Sequence, residues 1–149
     1  MCLLKCQKTN QTIVVGNCHF EHDPRFDHVK YGQAIYYLER IAKYIRENKG
    51  MSETLPFVTG GDYNSLPISS VLSAFYNEDI ENSPAFIEEE SPSAWTIPTE
   101  LSKDVKDSYR KLNKNFKSKV ESGLMDPIVG NLETAYARYD IPAGRIPTD

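Results

Sequence analysis

The sequence predicts an α/β protein built on a βαβ unit. Three observations carry that prediction. A β-branched run, Thr12-Ile13-Val14-Val15, continues into a polar end at Asn17 to Phe20. An amphipathic stretch from His28 repeats its apolar residues at helical spacing. A short apolar run, Leu55 to Val58, then ends in Gly60-Gly61-Asp62-Tyr63-Asn64. Strand, helix and strand at this separation predict a right-handed crossover that leaves the two strands parallel.

Taken in order, Leu3 to Lys8 and Thr12 to Phe20 read as a hairpin around Thr9-Asn10-Gln11. The second strand is expected to be buried at its start and to reach a surface at its end. Pro24 biases Asp23 away from helix, so Glu21 to Asp27 reads as a turn. Asp27 is a good N-cap. Val29, Ile35, Leu38, Ile41, Ala42 and Ile45 form the expected buried stripe of the helix, and Gly50 is expected to close it. Ser65-Leu66-Pro67 turns the chain, and Ile68 to Tyr76 suggests another helix. Residues 77–100 read as an acidic excursion with Trp95 as a core anchor and Glu88-Glu89-Glu90 as a solvated loop. Ser102 to Ser122 reads as a charged amphipathic helix with Val105, Tyr109, Leu112, Phe116 and Val120 on one face. The tail, 140–149, contains two prolines and a glycine and reads as loose.

The chain has 149 residues and a formal charge of −4, with 40% hydrophobic and 26% charged residues. That composition is globular rather than disordered. The acidic excess argues against a nucleic-acid binder that works by bulk counterion release. No apolar run approaches the ~18 residues of a membrane span. Lysines interrupt the first residues where a signal-peptide core would lie, so a cytoplasmic or nuclear protein is expected. Cys2, Cys6 and Cys18 are odd in number, and reduced thiols are the default. A zinc site drawn from these cysteines with His19, His22 and His28 lacks a matched second pair. Cys18 and His19 would also point to opposite faces of one strand.

Asn17 and His19 alternate on one strand and share a face, and Asp62 and Asn64 are expected to share a face of the next. The βαβ reading places all four at the C-terminal edge of adjacent parallel strands, where open α/β sheets bind ligands. Gly60 and Gly61 allow close approach there. A carboxylate, two carboxamides and an imidazole suit metal-assisted chemistry at phosphate. Asp can hold Mg²⁺ or orient a water, Asn can fix a nucleophile or a phosphate oxygen, and His can donate to a phosphate oxygen. Read singly, Asp-X-Asn after a strand is an ordinary turn. The combination is the specific signal.

Gly61-Asp62-Tyr63-Asn64-Ser65-Leu66-Pro67 resembles the G-D-[FYL]-N-S-x-P signature of the endonuclease/exonuclease/phosphatase superfamily. Gly16-Asn17-Cys18-His19-Phe20 with Asp23-Pro24 resembles its N-T-H-L…D/N-P motif. Asp27-His28-Val29-Lys30-Tyr31-Gly32-Gln33 resembles the helix start that follows. The motif order is that of the deadenylase-like branch, which includes the carbon-catabolite-repressor-type deadenylases, nocturnin and angel proteins. The resemblance covers residues 12–76, with a weak echo at Leu132 to Tyr136.

The resemblance implies an α/β fold that is part of a four-layer sandwich, and a Mg²⁺-dependent phosphodiesterase. The implied activity is 3′-5′ RNA exonuclease or deadenylase chemistry on an RNA 3′ end such as poly(A). It implies that Asp62 orients the attacking water near the metal. Asn64 would contact the phosphate or 3′ nucleotide, His19 would stabilise phosphate charge, and Pro24 would lie on the base-binding side. Asn17 would sit on the substrate side as a support of the strand end. Cys18 for Thr and Tyr63 for Phe are mild departures. The family's metal-binding Glu precedes the matched segment, and its aromatic base clamp and terminal Asp and His follow it. None of these has a counterpart here. The expectation is therefore a partial domain, inactive as this chain alone, with one apolar sheet face uncovered. The alternative is a non-catalytic remnant that binds a partner through that face.

Overall fold

The computed structural model describes residues 1–48, 55–65, 69–77 and 102–125. Two strands, β1 (Cys2–Lys5) and β2 (Thr12–His19), precede a 3₁₀ turn (Pro24–Phe26) and helix α1 (Asp27–Asn48). Strand β3 (Phe57–Asp62), helix α2 (Ser70–Tyr76) and helix α3 (Lys103–Glu121) follow. The sheet order is β1-β2-β3. β1 pairs with β2 antiparallel and β2 with β3 parallel. The α/β class and the parallel βαβ pair agree with the sequence reading.

The hairpin closes earlier than its composition suggests. β1 stops at Lys5, and the loop runs from Cys6 to Gln11. The Cys6 amide donates to the Gln11 carbonyl at 2.8 Å, and the Asn10 amide donates to the Cys6 carbonyl at 2.9 Å. Asn10 takes a left-handed φ of 59°, which an Asn tolerates. These bonds make a wider turn than Thr9 to Gln11 alone.

Alternation along β2 decides where the core sits. Val14, Gly16 and Phe20 are buried toward α1, while Asn17 and His19 are exposed on the other face. A Cβ at Gly16 would lie 2.4 Å from the Tyr37 hydroxyl, so α1 crosses closely at that point. The Tyr37 and Thr59 hydroxyls then bond at 2.7 Å, tying α1 to β3.

The buried face of α1 is Tyr31, Ala34, Ile35, Tyr37, Leu38, Ile41, Ala42 and Ile45. Val29, expected in that stripe, is exposed. α2 and α3 pack against α1. Tyr109 and Phe116 of α3 are buried, with Val105, Leu112 and Val120 packed beside them, as the periodicity predicts. The Ser102 side chain caps α3 by accepting from the Val105 amide.

Asp27 does not stand as the N-cap of α1. It is the first residue of α1, and it is buried. Its Oδ2 accepts from the Ser70 hydroxyl and, at 2.8 Å, from the Tyr109 hydroxyl. Three helices therefore converge on one carboxylate. Burial pushes the Tyr109 hydroxyl pKa far up, and the Asp27 charge adds to that shift.

The face of the sheet away from α1 carries Leu4, Ile13, Val15 and Val58 toward one end. Leu4 is 51% exposed and Val58 56%. Ile13 and Val15 between them are partly buried. Gly50, Leu66, Pro67, Ile68, Glu88 to Glu90, Trp95, Leu132 to Tyr136 and the tail lie outside the described residues.

Candidate active site

The polar end of the open face is built by strand register. His19 is the register partner of Asp62, and Asn17 that of Gly60. Register partners on neighbouring strands point the same way and lie about 4.8 Å apart between strands. The Phe20 amide donates to the Asp62 carbonyl at 2.9 Å, so pairing runs to the last residue of β3. Asn17, His19 and Asp62 are therefore exposed together on one face.

Gly61 turns the chain at this edge. Its φ is +135°, and a Cβ there would lie 2.0 Å from the Cys18 carbonyl oxygen and 2.9 Å from Asn17 Oδ1. Only glycine fits such a position without strain. A Cβ at Gly60 would meet nothing within 4 Å. Of the two glycines expected to permit close approach, Gly61 is the one the geometry demands.

Asn64 departs from the expected arrangement. β3 ends at Asp62, so Asp62 and Asn64 do not share a strand face. Asn64 has a left-handed φ of 48°. Its amide donates to Asp62 Oδ1 at 2.9 Å, closing an Asx turn. Its Nδ2 donates to the Phe20 carbonyl at 3.0 Å. The carboxamide is thus folded back across the ends of both strands. It remains beside Asp62, held by a turn rather than by strand alternation.

The next turn is pinned to the same helix. Pro24 opens the 3₁₀ turn just past β2, and its ring lies outside the described side chains. The Asp23 carboxylate accepts from the Arg25 amide at 2.9 Å and pairs with the Arg25 guanidinium. Those two bonds hold its pKa down at about 2. The Glu21 amide donates to Gln33 Oε1 at 2.9 Å, fixing the turn to α1.

Lys30 was not among the expected site residues. It is 3% exposed, and its Nζ donates to the Asn64 carbonyl at 2.9 Å. A sequence signal existed. Lys30, Ala34, Leu38, Ile41 and Ile45 fall at helical spacing on the buried face, so a lysine stands where an apolar residue is expected.

The cysteines do not join the site chemistry. Cys18 is half-buried on the α1 side, and burial pushes its thiol pKa up to about 11. Cys2 is exposed at the start of β1 opposite Val15, and Cys6 is exposed in the hairpin loop at the far end of the sheet. Among the described residues no three His, Cys, Asp or Glu side chains converge as a metal cage. Asp62 suits a hard cation as one oxygen ligand, in the manner of Mg²⁺ sites completed by substrate phosphate and water. Among the described residues no helix is long and apolar enough to cross a membrane.

Comparison with known proteins supports the CCR4-like part of the motif reading. No protein-family model and no solved structure matches the chain. A probable CCR4-Not complex 3′-5′-exoribonuclease subunit Ccr4 from Vairimorpha ceranae is 35% identical over 80 residues. That stretch is 54% of this chain and 16% of the relative. Carbon catabolite repressor protein 4 homolog 4 from Arabidopsis thaliana is 32% identical over 81 residues, 54% of this chain and 19% of the relative. The matched stretch thus spans less than a fifth of either relative. Together these matches support a CCR4-like relationship, and with it a resemblance to RNA-cleaving hydrolases.

Proposed function

We propose that these residues carry part of the catalytic edge of a Mg²⁺-dependent 3′-5′ exoribonuclease of the deadenylase type. The observation that supports it most is the register pairing of His19 with Asp62 at the C-terminal ends of two parallel strands, with Asn64 folded beside them. In this reading Asp62 holds the metal or orients the attacking water. Asn64 fixes the scissile phosphate or the 3′ nucleotide. His19 donates to a phosphate oxygen as charge builds there. Asn17 supports the strand end on the substrate side, and Pro24 borders the base. Mg²⁺, when bound, supplies Lewis-acid stabilisation of the phosphate charge. The substrate is an RNA 3′ end, with poly(A) as the first candidate, and the setting is the cytoplasm or nucleus. The motif resemblance leaves the family's metal-binding Glu without a counterpart, and on that reading the 149 residues assayed alone are expected to be inactive.

A second reading rests on the exposed Leu4 and Val58. In it the chain is a non-catalytic module that seats a partner on the open sheet face. One experiment separates the two. Protein expressed from its native transcript is given 5′-labelled RNA ending in oligo(A). A one-nucleotide ladder that needs Mg²⁺, and is abolished by Asp62→Ala, supports the nuclease. No ladder, or one that Asp62→Ala leaves intact, refutes it and favours the module.

A further inference from the structure

We infer that Lys30 is a positioning residue, acting through the backbone of Asn64 to hold its carboxamide at the catalytic edge. The inference deepens the nuclease reading and rests on it for its kinetic part. Lysine is almost never fully buried without a partner. Here the buried ammonium donates to a main-chain carbonyl 34 residues away in sequence, in the turn that follows Asp62. That turn needs holding. A left-handed φ at a residue other than glycine persists where the surroundings fix it, and Asn64 sits at 48°.

Three tethers hold Asn64. Its amide is bound to Asp62 Oδ1, its Nδ2 to the Phe20 carbonyl and its carbonyl to Lys30. The first two come from the strand ends that Asn64 itself joins. Lys30 alone among the three comes from another element, the first turns of α1. That helix is fixed against the sheet by the Tyr37–Thr59 bond and by the core. Lys30 therefore references the Asn64 turn to the rigid part of the fold. With Nδ2 already occupied by Phe20, Asn64 keeps Oδ1 and one N–H for a ligand, and their direction depends on the turn. Lys30 also places a positive charge beneath a turn proposed to meet phosphate.

The test compares wild type with Lys30→Met, which keeps the aliphatic stem and loses the donor, and with Lys30→Arg, which keeps a donor. In ¹⁵N-labelled protein, Lys30→Met is expected to shift the Asn64 side-chain amide signals and to speed Asn64 backbone exchange about tenfold or more. Val14 in β2 and Phe116 in α3 are expected to stay protected. Lys30→Arg is expected to restore the wild-type pattern. In the nuclease assay, Lys30→Met is expected to lower kcat about tenfold to a hundredfold, the scale of a small misplacement, with KM for RNA within about twofold, and Lys30→Arg to recover most of it. Should Lys30→Met fail to fold, Lys30→Leu, which also lacks a donor, makes the same comparison. Unchanged Asn64 signals, or a loss confined to KM, overturns the inference. Absence of any hydrolysis by wild-type protein expressed from the native transcript refutes the nuclease reading instead, and the Asn64 signals then decide the Lys30 role on their own.

Discussion

Gly61→Ala tests the geometry of the candidate site most directly, because Gly60→Ala is its control one residue away. At Gly61 the backbone has φ +135°, and the new Cβ would stand 2.0 Å from the Cys18 carbonyl oxygen. The obstacle is main chain in the partner strand, so no side chain can swing aside. Holding an alanine at such a φ costs about 1–3 kcal/mol. Relieving the overlap by moving packed backbone adds about 1–3 kcal/mol more. At Gly60 a Cβ meets nothing within 4 Å, and its φ lies outside the left-handed range. Alanine there removes glycine's unfolded-state freedom, so the change is expected to be neutral or stabilising by up to about 1 kcal/mol. The two variants should therefore differ by at least about 2 kcal/mol, a large share of a typical 5–15 kcal/mol total. Urea unfolding followed by far-ultraviolet circular dichroism reads this as a lower midpoint for Gly61→Ala at unchanged slope. Equal midpoints would refute the argument that the β2–β3 edge requires glycine at 61.

Three other outcomes follow from the structure. Tyr109→Phe removes one of two hydroxyl donors from the buried Asp27 carboxylate and should cost about 1.5–3 kcal/mol in the same unfolding assay. Treatment with a thiol reagent at pH 8 should label exposed Cys2 and Cys6 quickly, with Cys6 favoured by its lowered pKa. Cys18, half-buried with its thiol pushed up to about 11, should react much more slowly; equally fast labelling of all three would contradict that environment. Asp23 should titrate near 2 by carbon-detected NMR, and Arg25→Gln should return it toward the ordinary carboxylate range. Because its folded pKa is depressed, the Asp23–Arg25 contribution to the turn is present above about pH 4 and is lost as pH falls through 2.

Local pattern in the sequence was enough for several elements. The 3.6-residue spacing of Ile35, Leu38, Ile41 and Ile45 places α1, and that of Tyr109, Leu112 and Phe116 places α3. Alternation in β2 puts Asn17 and His19 on one face and Val14 on the other. These features are legible because periodicity and capping act between residues a few positions apart. The candidate site residues were likewise legible as residue types at strand ends, through their motifs.

Tertiary structure decided what those residues touch. Register sets His19 opposite Asp62, and register depends on how α1 returns the chain across the sheet. Asn64 leaves the strand face in the Asx turn that Asp-X-Asn allows, and it is the Phe20 carbonyl and the Lys30 ammonium that fix where its carboxamide lies. Asp27 gives up a cap role because Ser70 and Tyr109 reach it from α2 and α3. Lys30 is buried because a carbonyl from the turn after β3 waits at the end of its stem. Each outcome depends on a bond between groups tens of residues apart in sequence. Such bonds leave no period in the chain, so only the folded molecule decides them.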